Sequence, residues 1–373
     1  MKPTVAILRC DDYDSERVFN TVHRALDLLG GIGRFVQKGQ RVLLKPNMLS
    51  AKAPERGITT HPAILEAMIR EVRSVGADVW IGDSPSGAIK GIQRCWDNTG
   101  YQALADRTGV KLVNFEARGT VEKRVRGETY HVARALFEVD VVINLPKFKT
   151  HGYTLYTGAI KNMYGALPGL QKAKFHKWYS HPKNFSRLLV DIFSLIRCPL
   201  HLMDGILGME GNGPATGKLR NVGLILAADD GVALDAVAAH IMGFDQNEID
   251  AIRLAGERGI GENRLHEIQI AGEMLEAVRF TDFSLPSNHL VKLVPQFLVR
   301  WAGKFMWIRP RADLSLCTGC GVCAEGCPVE AIKMKDGFPV MDYHKCINCL
   351  CCNESCPEGA VIQQMSWLAK IFA

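Results

Sequence analysis

The chain contains the run C-x-x-C-x-x-C-x-x-x-C-P twice. "CTGCGVCAEGCP" supplies Cys317, Cys320, Cys323 and Cys327 ahead of Pro328, and "CINCLCCNESCP" supplies Cys346, Cys349, Cys352 and Cys356 ahead of Pro357. Nine of the 12 cysteines lie between Cys317 and Cys356; only Cys10, Cys95 and Cys198 fall elsewhere, where a small buried hydrophobe is the ordinary use. Three thiolates at this spacing wrap a tight loop around three corners of an iron-sulfur cubane, and the fourth opens a short helix that crosses to a second cubane. Zinc is the competing reading, but it takes four ligands in pairs rather than a duplicated three-plus-one run ended by proline.

The segment from about Asp313 to Val361 resembles a bacterial-type two-cluster ferredoxin module. The expected ligand sets are Cys317, Cys320 and Cys323 with Cys356, and Cys346, Cys349 and Cys352 with Cys327, leaving Cys351 outside both. Between the two runs, "AIKMKDGFPVMDYHK" reads as strand, Asp-Gly turn and strand. The resemblance implies two 4Fe-4S clusters that pass single electrons. No motif names a further organic cofactor.

At 373 residues the chain is too long for one typical domain. We divide it into an α/β body over 1–285, an amphipathic connector over 286–311, the two-cluster module over 312–361 and a tail over 362–373. No apolar run approaches the roughly 20 residues that span a bilayer, and "MKPTVAILRCDDYD" is neither a secretory nor a transit peptide, so the cytoplasm is the expected location. The formal charge of +6 is uneven: three lysines against seven carboxylates give Ala312 to Ala360 a net −4, which leaves +10 on the remainder. Without a Lys/Arg block, zinc finger or aromatic RNA-binding signature, this asymmetry points to a basic pocket and not to nucleic acid.

In the body, apolar runs alternate with amphipathic stretches. "TVAILRC", "RVLLKPN", "DVWIGDSP", "KLVNFE", "VDVVINLPK", "LHLMDGI" and "VGLILAADD" read as strands. Helices are expected from Ser15, as cap, through Leu29, over "HPAILEAMIREVRSVG", over "GIQRCWDNTGYQALADRTG", near Leu155 to Tyr164, near Asn184 to Leu195 and over "GVALDAVAAHIMG", with a hairpin around Arg126 and Gly127. This alternation predicts a mostly parallel sheet covered by helices on both faces, in which ligands sit beyond the carboxyl ends of the strands. There the sequence places Lys45-Pro46-Asn47, Asp83-Ser84-Pro85, Asn144 with Pro146-Lys147, and Asp204-Gly205. Thr59, Thr60 and His61 follow in one loop, and Glu210, Gly211 and Gly213 in another.

The ordered motifs "LLKPNML", "GITTHP", "GDSP", "NLPKFKTH", "GAIKNMYG", "MDGILGMEGNGP" and "GVALDAVAAHIMG" resemble those of the family catalogued as domain of unknown function 362, from about Lys2 to Ala271. The resemblance implies a single α/β domain whose site gathers these motifs, and an iron-sulfur redox role, since members often carry a ferredoxin module at the carboxyl end.

Lys45, Lys147, Lys149 and Lys161 at a concave rim are point charges suited to phosphate or carboxylate groups. Asn47, Thr60, Asp83, Asn162, Asp204 and Glu210 complete the candidate binding set. His61 and His151, expected to titrate near neutral pH, are the acid/base candidates, with Lys147 beside them. Asp83, Asp204 and Glu210 could orient these groups or hold a cation. No Walker or dinucleotide fingerprint is present. "AKFHKWYSHP" (Ala173 to Pro182) reads as a basic, aromatic loop. "NHLVKLVPQFLVRWAGKFMWIRPR" is amphipathic, and it either packs the module against the body or makes peripheral membrane contact through 290–308.

These features lead to an oxidoreductase passing electrons from two clusters to an anionic small molecule at the rim, with a redox protein as partner. A non-catalytic electron carrier docking an acidic partner is the alternative, and an isomerase or lyase with structural clusters is a third reading. Under the first, Lys45 and Lys147 can be removed at little cost to the fold.

Overall fold

The computed structural model describes residues 2–85, 92–169, 171–179, 181–215, 217–245, 247–286, 308–348 and 350–367. In chain order the body comprises β1 (Thr4–Arg9), α1 (Ser15–Asp27), β2 (Arg41–Pro46), α2 (Pro62–Ser74), β3 (Asp78–Asp83), α3 (Ile92–Asn98), α4 (Tyr101–Thr108) and β4 (Lys111–Asn114). There follow β5 (Thr120–Val125), β6 (Glu128–Ala133), β7 (Val141–Leu145), β8 (Lys147–His151), β9 (Leu155–Thr157), α5 (Ala159–Asn162), α6 (Gln171–Trp178) and α7 (Pro182–Ser194). β10 (Leu200–Glu210), β11 (Lys218–Ala228), α8 (Gly231–Met242), α9 (Asp250–Glu257) and β12 (Gln269–Gly272) complete it.

The main sheet runs β12-β1-β11-β10-β7-β2-β3-β4, with β8 beside β10 and β9 beside β8. β10, β7, β2, β3 and β4 are mutually parallel, and β11 is antiparallel to both of its neighbours. Alternate residues of each strand enter opposite layers: Val42, Leu44, Val79 and Ile81 pack with α1 and α2, whereas Leu43 and Trp80 belong to the layer that holds α7 and α8. Near-continuous apolar runs such as "VVINL" follow from this burial on both faces. The α/β fold with helices on both faces is therefore as the sequence predicts.

Three local elements differ from expectation. The helix expected across residues 91–109 is broken: Thr99 bonds back to the Cys95 carbonyl, and Gly100 takes a left-handed φ of 76° before α4 begins. Leu155–Thr157 is a strand rather than helix; the helix starts only at Ala159, whose N–H and that of Ile160 donate to the Asp235 carboxylate. The stretch read as a loop forms α6, because Phe175 inserts against Tyr130 and anchors that turn. At α1 the cap is Asp14, one residue earlier than Ser15.

The cysteine-rich module comprises β13 (Ile308–Ala312), α10 (Val322–Glu325), β14 (Ile332–Lys335), β15 (Phe338–Met341), α11 (Cys351–Ser355) and β16 (Val361–Met365). β13 pairs antiparallel with β16, and β14 with β15 around the Asp336-Gly337 turn. Its small core is Cys323, Ile332, Cys352, Cys356, Ala360 and Val361. Of the connector read as amphipathic, residues 287–307 lie outside the described residues, as do 368–373 of the tail. Among the described residues, no helix is long and apolar enough to cross a membrane.

Candidate functional site

Parallel strands end together, so β2, β3 and β7, with the continuation of β10, bring their polar ends to one edge. Lys45 at the end of β2 meets Asp83 at the end of β3, with 2.8 Å between Nζ and Oδ1. Asp83 also accepts the N–H groups of Met48 and Ser84. Gly165 leaves the room this pair occupies, since a Cβ there would lie 2.0 Å from Asp83 Oδ1 and 2.8 Å from Lys45 Nζ. A second pair follows from strand register: Lys147 of β8 stands opposite Asp204 of β10, and its Nζ lies 2.7 Å from Oδ2. Asp204 takes further hydrogen bonds from the Tyr13 hydroxyl at 2.8 Å and the His61 N–H at 2.8 Å.

The side chains of Lys45, Lys147 and Asp204 are each 0% exposed. Burial lowers the pKa of both lysines, and the adjacent carboxylate opposes that fall. This corrects the reading of Lys45 and Lys147 as rim charges open to an anion: each is already neutralised by an internal carboxylate. It also corrects the expectation that removing either is cheap.

Lys149 and Lys161 differ. Lys149 is buried and, among the described residues, donates to neutral acceptors alone, Asn47 Oδ1 at 2.9 Å and the Ile58 carbonyl at 2.8 Å. Neither Lys149 nor Lys161 has a carboxylate within 4 Å among the described residues. Burial drives the Lys149 pKa well below its usual value, and the nearby Lys161 adds to this. Lys147, Lys149 and His151 alternate along β8, so they share one face, and Thr157 of β9 stands opposite Lys149 on that face. Around Lys149, the buried Thr59 Oγ1, Thr157 Oγ1 and His151 Nε2 have no hydrogen-bond partner among the described residues. Unsatisfied buried donors beside ammonium groups that form no ion pair among the described residues are what an anion would complete.

His151 accepts from the N–H groups of Tyr153 and Thr154 at Nδ1, which assigns the ring proton to Nε2. Burial, reinforced by Lys161, holds its pKa down at about 3. Burial likewise lowers His61 to about 4; its Nδ1 accepts from Ala63 N–H at the start of α2, and its ring stacks on Tyr13 at 3.7 Å. Both rings are therefore neutral at pH 7 and do not titrate near neutrality as expected.

The remaining candidates divide. Asn47 reaches Lys149. Thr60 and Asn162 serve the framework: Thr60 Oγ1 donates to the Leu145 carbonyl, and Asn162 bonds Asn144 and the β2 carbonyls. Glu210 stands six positions beyond Asp204 on β10, roughly 20 Å along an extended strand, beside Arg220 and Lys218. Its neighbours Met209 and Gly211 contact β8, where Met209 pairs with Lys149 and Thr150 Oγ1 bonds both carbonyls, but the Glu210 carboxylate itself is engaged by Arg220 and Lys218 and not by the lysines of β8.

Nothing in the sequence motifs singles out Glu354. α11 is buried throughout, and it presses Glu354 toward His151, with Oε1 3.5 Å from Nε2. Burial raises the Glu354 pKa, but His151, Lys161 and His176 outweigh it and bring the group to about 2. Asp235, which anchors the start of α5 and so sets Lys161, was also missed, as were Tyr13 and Lys172. Only assembly of the sheet brings these residues to the rim.

In the module, Cys317, Cys320, Cys323 and Cys356 line one cavity, and Cys327, Cys346 and Cys352 line another. Cys349 lies outside the described residues, and Cys351 lines neither cavity. Among the described residues, no group of three or more His, Cys, Asp or Glu could hold a single metal ion. Thiols spread around a cavity in place of converging on one point fit a multi-iron body and disfavour zinc, whose bonds to sulfur are only about 2.3 Å.

The family model described as "Domain of unknown function (DUF362)" matches residues 42–240, and that of a 4Fe-4S dicluster domain matches residues 309–357. The thylakoid-associated protein sll1697 of Synechocystis sp. is 34% identical over 265 residues, covering 70% of this chain and 81% of that protein. Among solved structures, a protein from Thermotoga maritima aligns with 15% identity and a TM-score of 0.34 over 54% of this chain and 52% of its own. The lactate racemase apoprotein from Thermoanaerobacterium thermosaccharolyticum aligns with 10% identity and a TM-score of 0.38 over 60% of this chain and 53% of its own. The dicluster match gives the carboxyl-terminal module an iron-sulfur electron-transfer role.

Proposed function

The chain belongs to the family of domain of unknown function 362, with a 4Fe-4S dicluster domain behind the family domain, and from that premise we propose an oxidoreductase that exchanges electrons with an anionic substrate or cofactor held where α11 meets the rim. One observation carries the proposal: α11, which carries Cys352 and leads into Cys356, buries Glu354 among His151, Lys161 and His176, so module and rim share one polar wall. The ligand sets are Cys317, Cys320, Cys323 and Cys356 for the first cluster, and Cys346, Cys349, Cys352 and Cys327 for the second. When bound, the clusters supply one-electron transfer.

The protein's own groups then have separable tasks. Lys149 and Lys161 bind the anion. His151, neutral with its proton on Nε2, donates a hydrogen bond from that N–H to the ligand as negative charge develops there, and the ring keeps its proton. Glu354 orients the Nε2 edge. Tyr13, His61 and the Lys147–Asp204 pair hold the floor of the site rigid.

An anaerobic preparation analysed by mass spectrometry for co-purifying anions, followed by single-turnover reduction, tests this reading. A bound small molecule whose reduction tracks cluster oxidation supports it. No ligand together with fast electron exchange with an acidic protein supports the carrier reading, which the exposed Lys174 and the 66% exposed Trp178 on α6 favour. A cytoplasmic location is part of the proposal. The name of the thylakoid-associated relative makes a membrane-surface location the alternative, and fractionation separates the two.

A further inference from the structure

Lys52 lies in the loop between β2 and α2, 4% exposed, and its Nζ has no hydrogen-bond acceptor among the described residues. An ammonium group buried without a partner is costly, so a compensating charge belongs nearby. The turn Cys356 to Gly359 passes over it: a Cβ on Gly359 would stand 3.8 Å from Lys52 Nζ and 4.0 Å from Arg56 Nη2. Arg94 reaches the same turn and meets Glu358 at 3.5 Å. The body thus offers three cations to a turn whose one carboxylate is already engaged. Arg56 is exposed and solvated, which leaves Lys52 as the buried cation with no hydrogen-bond acceptor among the described residues. Burial lowers its pKa, and Cys356 first and Glu358 after it oppose that fall.

We infer that Lys52 is the electrostatic partner of the cluster held by Cys317, Cys320, Cys323 and Cys356, and that it raises that cluster's reduction potential above the second cluster's. The inference rests on the cluster assignment proposed above. Reduction places one electron, and one further negative charge, on the cluster. A fixed ammonium in a poorly solvated setting favours the reduced form, and solvent screens it little. Among the described residues, the second cavity is lined beyond its cysteines by Pro310, Val329, Ile332, Met341, Leu350 and similar apolar residues, with no charged side chain, whereas Glu358 lines the first and its charge is met by Arg94 at 3.5 Å. Electrons therefore settle on the first cluster.

The test is a potentiometric titration of the full chain followed by electron paramagnetic resonance, with iron and sulfide counted in every sample. The parent should show two waves. Lys52→Met should shift the upper wave down by at least tenfold in its equilibrium constant, about 59 mV for one electron, and leave the lower wave in place. Lys52→Gln should do the same, and Lys335→Met, on the exposed hairpin of the module, should move neither wave. Unmoved waves with full iron in the Lys52 variants overturn the inference alone. So does a shift confined to the lower wave, or loss of the first cluster from both variants, which would make Lys52 an assembly residue. A parent without iron and sulfide overturns the cluster assignment itself.

Discussion

Glu354 Oε1 lies 3.5 Å from His151 Nε2, and through this approach a carboxylate of the cysteine-rich module enters the cation cluster of the α/β body. The distance exceeds a formed hydrogen bond, so the carboxylate acts mainly through its charge on Lys161 and His176. Glu354→Gln keeps the shape and removes that charge. Loss of one partner from a buried charged group costs about 3 kcal/mol, so anaerobic unfolding should report a destabilisation of this order with the iron content unchanged. A variant as stable as the parent would show that the carboxylate does not hold the module to the rim.

The Lys147–Asp204 pair makes a contrasting prediction. Lys147→Met leaves the Asp204 carboxylate, 0% exposed, without its cation, and should cost about 3–5 kcal/mol. Lys147→Met combined with Asp204→Asn removes both charges and should recover much of the loss. A double-mutant cycle by chemical denaturation measures the coupling. Additive losses would show that the two groups are not an internal pair.

Lys149 has no carboxylate to leave behind, so Lys149→Met should fold well and fail in binding. Losing a charge-assisted contact to an anion weakens affinity by roughly 1.5 to 3 kcal/mol, or about ten- to a hundred-fold. Calorimetric titration with the anion that co-purifies with the parent is the measurement. Parent-like affinity would place the anion elsewhere.

Much of this rim is legible in the sequence because a buried parallel strand must stop where its polar residues begin. Lys45, Asp83, Asn144 and Asp204 stand out at the ends of apolar runs for that reason. Which of them neutralise one another is not legible. Asp83 is Lys45's partner because β3 is hydrogen-bonded to β2, and Asp204 is Lys147's because β8 lies beside β10 across more than fifty residues of sequence; strand order is a tertiary property. Glu354 is hidden more deeply. Within "CCNESCP" it reads as one more acid of an acidic module, and only the docking of α11 makes it part of the site. The histidines mislead for a related reason, since their usual pKa assumes water, and burial removes it.

That burial gives a pH prediction. His201 on β10 is 2% exposed, accepts from Asn144 at Nδ1, and is held at about 4 by burial. Its unfolded value is near 6.5. Between these values the unfolded chain binds the extra proton and the folded chain does not, so stability is lost as pH falls from 6.5. From pH 6.5 to 5 the loss attributable to His201 is about 2 kcal/mol. His201→Gln should lower the melting temperature at pH 7 through poorer packing, yet show a flatter fall between those two pH values. An unchanged slope would mean that His201 is already protonated in the folded protein.

The two neighbouring cysteines of α11 should separate cleanly. Cys351 and Cys352 are adjacent and equally buried, each 6% exposed, but successive residues of a helix point about 100° apart. Cys352 faces the cavity shared with Cys327 and Cys346, whereas Cys351 lines neither cavity and acts electrostatically on Lys161 and Lys172 of the body. Cys351→Ala should therefore retain the parent's iron, about 8 per chain for two cubanes, and both sets of paramagnetic signals. Cys352→Ala should lose the second cluster and about half of the iron. Equal losses from both variants would show that the helix is turned differently and that Cys351, not only Cys352, reaches the metal.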